Sequence, residues 1–173
     1  MHDTGFPCSA NYDAEILILG SMPSRKSLAA RQYYAHPQNA FWPIMAELFE
    51  FDCGLEYEQR LQQLRSNKIA LWDVAHQCVR AGSMDHAIEP ETVVANDFTA
   101  FFARHPDIRA VFFNGRKAEE LFLKLSLGRQ QLERHLLPST SPANARLSRR
   151  QKLAAWRLVK QTLETLRARP YLE

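Results

Sequence analysis

Short unbroken apolar runs alternate along this chain with longer stretches in which apolar residues return every three or four positions. "AEILILG" (14–20) is the first such run, stopped by a glycine. A continuous run of this length predicts a strand buried on both faces, as in a parallel sheet. "NKIALWDVA" (67–75) and "IRAVFFNG" (108–115) have the same form. "RHLLPSTSPANA" (134–145) starts as a short strand, and Pro138 and Pro142 break it into a stiff loop.

Helical spacing fills the intervals. Asn39 is placed to cap "AFWPIMAELFE", with Pro43 in the first turn. "LEYEQRLQQLRS" predicts a second helix. "EPETVVANDFTAFFARH" (89–105) sets Val93, Phe98, Phe101 and Phe102 near one face, and "GRKAEELFLKLSL" (115–127) opens straight from a strand. The last helix begins after Ser148 and carries the stripe Leu153, Trp156, Val159, Leu163 and Leu166. Strands alternating with helices predict an α/β fold: a three-layer α/β/α sandwich around a short, mostly parallel central sheet of about four strands. In such sheets the working loops lie at the carboxyl ends of the strands. "GSMPS", "WDVAHQCVRAGSMD", "NGRKA" and "LPSTSPANA" all fall there.

Composition narrows the class. A length of 173 residues suits a single domain spanning 1–173, and 46% apolar with 24% charged residues is ordinary for a globular chain. No apolar run reaches the length of a membrane span, and the first residues show no secretory pattern, so a cytoplasmic protein is expected. Cys8, Cys53 and Cys78 are scattered without CxxC spacing, which argues against a disulfide framework or a cysteine metal site. The net charge is only +3, but it is unevenly spread. Between Arg146 and Arg169 eight cations face Glu164 alone, and Arg25, Lys26 and Arg31 form a second basic cluster. Clusters beside the loop-like motifs suit a phosphate backbone as well as they suit a solvated face.

Several chemistries fit poorly. "GSMPS" lacks the lysine of a phosphate loop and the three glycines of a dinucleotide fingerprint. "NGRKA" could offer backbone N–H groups to an anion or be a plain turn. No G-x-S-x-G elbow exists, and the six histidines show no metal-binding spacing. In "YYAHPQNAFW" (33–42), Phe41 and Trp42 should pack inward at the start of a helix. Tyr33 and Tyr34 precede a Pro-stiffened turn, where a tyrosine face suits stacking on a planar base.

Together, "LILGSMPS", "YYAHPQNAFW" and "LPSTSPANAR" resemble the uracil-DNA glycosylase superfamily. The "AHPQNAFW" run is similar to that of the mismatch-specific uracil enzymes. The fuller set, with "WDV", "CVRAGSMD" and "FFNG", most resembles the hypoxanthine-DNA glycosylase (DNA-deoxyinosine glycosylase) branch, from about Ile16 to about Trp156. The resemblance implies a base pocket floored by Gly20, Ser21, Met22, Pro23 and Ser24. It implies that Tyr34 stacks on a flipped base, that Asn39 is catalytic and that Asn114 lies nearby. Ser139, Thr140, Ser141, Pro142, Ala143, Asn144 and Arg146 would form a DNA-insertion loop, with Arg25 and Lys26 adding phosphate contacts. The partner expected is damaged double-stranded DNA, bound by a monomer with no metal or organic cofactor.

Two positions depart from the wider superfamily. Met22 stands where most members carry Asp or Asn to place the attacking water, and a thioether cannot do that work. The hypoxanthine branch shares this gap, which directs attention to Asn39. Leu137 precedes Pro138-Ser139 where the classical uracil enzymes have a histidine. The implied activity is hydrolysis of the N-glycosidic bond of hypoxanthine or uracil. A non-catalytic DNA-binding module and a small-molecule enzyme with an anion at the first loop are the alternatives.

Overall fold

In a computed structural model of the chain, residues 2–125, 127–128 and 131–169 are described. The elements run β1 (His2–Thr4), β2 (Ile16–Gly20), α1 (Arg25–Ala30), α2 (Phe41–Phe49), α3 (Tyr57–Ser66), β3 (Ile69–Asp73), β4 (Ala75–Val79), β5 (Val94–Ala95), α4 (Phe98–Arg104), β6 (Ala110–Asn114), α5 (Arg116–Lys124), β7 (Glu133–Leu137) and α6 (Arg149–Ala168). The four apolar runs form one sheet in the order β3-β2-β6-β7, with every neighbour parallel.

Alternation within the strands builds the layers. Ile16 and Ile18 face one way, into a core made with α2, α3 and α6. Leu17 and Leu19 face the other, against α4 and α5. Both faces of each central strand are covered, which is why these runs are apolar throughout. The stripe of α6 behaves as its spacing predicts: Leu153, Trp156, Val159, Leu163 and Leu166 are all buried, with Trp156 at 0% exposure. Ser148 caps the helix, accepting from Gln151 N–H while the Gln151 side chain accepts in return from Ser148 N–H.

The expected helix over 89–105 is not one continuous helix. Pro90–Thr92 is a 3-10 turn, Val94–Ala95 is a strand, and the α-helix begins only at Phe98. Asp97 caps it by accepting from Ala100 N–H at 2.9 Å. A local cap and a non-local strand pairing thus override the helical spacing. The helix expected over 115–127 ends at Lys124, and Ser126 lies outside the described residues, as do positions 1 and 170–173 of the expected domain.

A second, smaller sheet has no counterpart in the sequence reading: β1-β4-β5, all antiparallel. It extends the chain beyond the end of β3 and buries a small cluster of Met22, Ala75, Cys78 and Ile88. Among the described residues no helix is long and apolar enough to cross a membrane.

Candidate active site

Register brings the site together. In the large sheet Gly20 pairs with Asp73, and Asn114 pairs with Leu137. The last residues of all four parallel strands therefore meet along one edge, and the loops that leave them surround a cavity of about 590 Å3. Its lining includes Gly20, Ser21, Met22, Pro23, Ser24, Tyr34, Asn39, Asn114, Ser139, Thr140, Ser141, Ala143 and Asn144. The two motifs most distant in sequence thus line one cavity. Arg25, Lys26, Pro142 and Arg146 are exposed and stand outside the lining.

The floor is the loop after β2, held from beneath by the chain that follows β4. Ser21 Oγ donates to Asp85 Oδ1 at 2.5 Å, and Arg80 donates to the carbonyl of Pro23 and, at 2.8 Å, to Asp3 Oδ2. Arg25 Nε donates to the Gly82 carbonyl at 2.9 Å, and its backbone N–H to Ser83 Oγ at 2.9 Å. Its guanidinium, read from the sequence as a phosphate contact, is thus engaged in holding two loops together. Met22 is 6% exposed and plugs the cluster against the small sheet. That packing explains a methionine where a polar side chain would have been buried without partners.

The stretch after α1 supplies the opposite wall. Tyr33 corrects the expectation of a paired tyrosine face. It is buried, its hydroxyl donates to the Pro7 carbonyl at 3.1 Å, and its own carbonyl accepts from Trp42 Nε1 at 2.8 Å. Phe41 and Trp42 are core residues, as expected. Both tyrosines border the cavity, but the Tyr33 hydroxyl is tied to the Pro7 carbonyl, whereas the Tyr34 hydroxyl has no such bond. The Tyr34 φ of 56° lies in the left-handed region, a conformation that costs a non-glycine residue about 1 kcal/mol or more. That turn sends its ring back onto Phe41, with centroids 4.1 Å apart and planes inclined by 28°.

Asn39 does not occupy the N-cap of α2; Ala40 does. Asn39 instead forms an Asx turn, its Oδ1 accepting from Phe41 N–H at 3.0 Å, which fixes the amide toward the cavity edge. The next residue ties this wall to the last loop, since Ala40 N–H donates to the Thr140 carbonyl at 3.0 Å.

The loop after β7 is fastened at several points. Asn114 donates to Thr140 Oγ1 and accepts from Thr140 N–H, each at 2.9 Å. Trp156 Nε1 donates to the Pro138 carbonyl at 2.9 Å, and Lys152 Nζ to the Ser141 carbonyl at 3.1 Å. Asn114 is thus first a clamp on the loop. Gly115, with φ of 94°, lets the chain turn beneath Ser139, where a Cβ would stand 3.1 Å from the serine Cβ.

Asp73 is not among the site residues expected from the sequence, where its spacing from His76 offers only a poor match to a serine-hydrolase triad. It is 4% exposed, lines the cavity, and its Oδ2 has no hydrogen-bond partner. Burial, and then the charge of Asp85, push its carboxyl up to about 7 against the opposing pull of Arg80. The Tyr34 hydroxyl is also buried without a hydrogen bond, and burial followed by the Asp73 charge raises its pKa. Both groups lie over Gly20, where a Cβ would fall 2.3 Å from Asp73 Oδ1 and 3.2 Å from the Tyr34 hydroxyl oxygen. Glycine is required there by that close approach. A signal existed in the sequence: Asp73 is the single charge closing an otherwise apolar strand at its carboxyl end.

Known proteins resemble this chain over nearly its whole length. Two curated relatives, each named Hypoxanthine DNA glycosylase, come from Methanosarcina acetivorans and Methanosarcina barkeri. The first is 39% identical over 156 residues, the second 36% over 157, each covering 90% of this chain and 96% of the relative. A solution NMR structure of a candidate uracil DNA glycosylase from Methanosarcina acetivorans superposes with a TM-score of 0.77 at 38% identity, over 95% of this chain and 99% of that one. The Uracil DNA glycosylase superfamily as a whole matches residues 7–166, from the end of the first strand to the last turns of α6. Sequence and three-dimensional likeness extend over nearly the entire chain, and the chain belongs to the uracil DNA glycosylase superfamily.

Proposed function

We propose that this protein is a DNA N-glycosylase that takes a deaminated purine, hypoxanthine, out of duplex DNA and hydrolyses its bond to the sugar. The observation that carries the reading is the meeting of the Tyr34 ring, the Asn39 amide and the loop 138–146 around one cavity at the strand ends. The names of the two relatives support the choice of base. A volume of about 590 Å3 can hold a purine nucleotide.

The base leaves the stack at a cost of a few kcal/mol, less where it is mispaired, which favours a deaminated base opposite its old partner. It enters over the 20–24 loop and lies against Tyr34. Cleavage passes through an oxocarbenium-like sugar while electron density builds on the base. Asn39 is held by Phe41 N–H and has no useful pKa, so it orients water by hydrogen bonding and does not act as a base. The exposed tip of the last loop, Pro142 and Ala143, fills the gap left in the duplex, and Lys26 and Arg146 meet phosphates.

The test uses duplexes carrying deoxyinosine, deoxyuridine or neither. The protein should convert the inosine site to an alkali-labile abasic site. Asn39→Ala should slow that conversion by about a hundredfold or more while binding the same duplex. An inosine duplex left intact by the native protein would overturn the reading. An unchanged rate in the variant would remove Asn39 from the mechanism.

A further inference from the structure

We propose that Asp73 is a further catalytic residue, the acid that delivers a proton to the departing purine. This rests on the reading of the protein as a hypoxanthine-releasing glycosylase. Three carboxyls border the cavity and they are not equivalent: Glu120 is exposed, Asp85 half-buried and Asp73 buried. Burial raises the Asp85 carboxyl, but its Oδ1 accepts from the Ser21 hydroxyl at 2.5 Å, a bond that pulls the other way. Asp73 has no such donor: Oδ2 is unpartnered, the residue is 4% exposed, and strand register places it directly beside Gly20 on the cavity floor. Burial of a carboxyl so placed resists its ionisation and keeps a proton available to an incoming base up to about neutral pH.

Besides Asp73 and the tyrosines, the charged and titratable side chains that line the cavity are Asp85, His86, Arg116, Lys117 and Glu120. Asp85, from the 3-10 turn after β4, disfavours ionisation of Asp73, and Arg80, at the end of β4, favours it. Tyr34, Tyr33 and Tyr57 each feel the Asp73 charge, and burial keeps all three as neutral phenols. Asn114 is neutral and bound to Thr140. Burial, and then the Asp85 charge, outweigh Arg80 and push the Asp73 carboxyl on the cavity floor up to about 7.

The step balances as follows. The N9–C1′ bond breaks and its electron pair passes into the purine ring. The Asp73 proton moves to N7, the ring acceptor that draws that pair away, so neutral hypoxanthine departs. Water held by Asn39 bonds to C1′ and gives its proton to solvent. The Asp73 carboxylate then takes a proton from solvent.

The experiment is single-turnover release of hypoxanthine from an inosine duplex between about pH 5 and about pH 8, for the native chain and for Asp73→Asn. In the native chain the rate should be level at low pH and fall toward tenfold per unit above about 7. Asp73→Asn should be slower by about a hundredfold at pH 6 and lose the falling limb. Binding of a duplex bearing 2′-fluorodeoxyinosine, which resists cleavage, reports whether the variant is folded. A native rate that is level throughout, or a variant that keeps the limb or the native rate, overturns the proposal while leaving hypoxanthine release standing. If the native chain releases no hypoxanthine at any pH, the functional reading falls and the proposal falls with it.

Discussion

Single side chains at this site are placed at a cost to the fold. Asp73 has a carboxyl pushed up to about 7 by burial and by Asp85, against about 3.9 in an unfolded chain. The sign follows from proton counting. Between those values the folded protein keeps a proton that the unfolded chain has released, so folding loses stability as pH rises from about 4 to about 7 and then levels. Asp73→Asn removes the titration. The variant should be more stable than the native chain at pH 8, by a few kcal/mol, with the gap closing toward pH 4. Denaturant unfolding at several pH values measures this, and a gap independent of pH would contradict it. Tyr34 shows the same tension, combining left-handed backbone with a buried, unbonded hydroxyl. Unpartnered polar groups and strained backbone gathered at one cavity are what a built site requires and a core avoids.

At the scale of elements, the loop after β7 is held by groups from three directions. Asn114 reaches it from β6, Lys152 and Trp156 from α6, and Ala40 from the start of α2. A loop fastened this way can enter a duplex without a large ordering cost at the moment of binding. Asn114→Ala leaves Thr140 N–H and Oγ1 buried without their partner, a cost of about 1–3 kcal/mol. Thermal melting should show that loss. Amide exchange should quicken at Thr140–Asn144 more than in β2; equal protection in both would mean the clamp is not the fastener. Lys152 is a buried lysine whose pKa burial lowers, and its Nζ donates to the Ser141 carbonyl. Its position near the positive end of α6, beside Arg149 and Arg150 and with no acid in the first turn, suits an approaching polyanion better than it suits the isolated helix.

Over the whole molecule, the parallel sheet gathers its strand ends at one edge and the basic residues stand around that edge and along α6. Arg146, Arg149 and Arg150 are exposed where the last loop meets the helix, and Lys26 is exposed on α1. Binding to duplex DNA should weaken steeply with salt. Neutralising about four phosphates costs on the order of a hundredfold in affinity over a fourfold rise in salt. A filter-binding or anisotropy titration measures the slope, and affinity indifferent to salt would mean these cations do not meet the backbone.

Much of this architecture was legible one-dimensionally. The large sheet, its covering helices and the stripe of α6 follow from apolar runs and from spacing by three and four, because burial on two faces or on one leaves a local imprint. The motifs carrying Tyr34, Asn39 and Ser139–Asn144 were legible as loops at strand ends, and all of these residues except Pro142 line the cavity. Other features left no such imprint. The small sheet rests on strands of three, five and two residues, whose pattern is too short to stand out. Asn39 turned out to form an Asx turn, and Tyr33 to be core, because those outcomes depend on Phe41 N–H and on the Pro7 carbonyl. Asp73 meets Gly20 only through pairing of strands some fifty residues apart. Local pattern specifies which segments become strands and helices; long-range register and burial specify which polar atoms lose their water, and those atoms are where the chemistry lies.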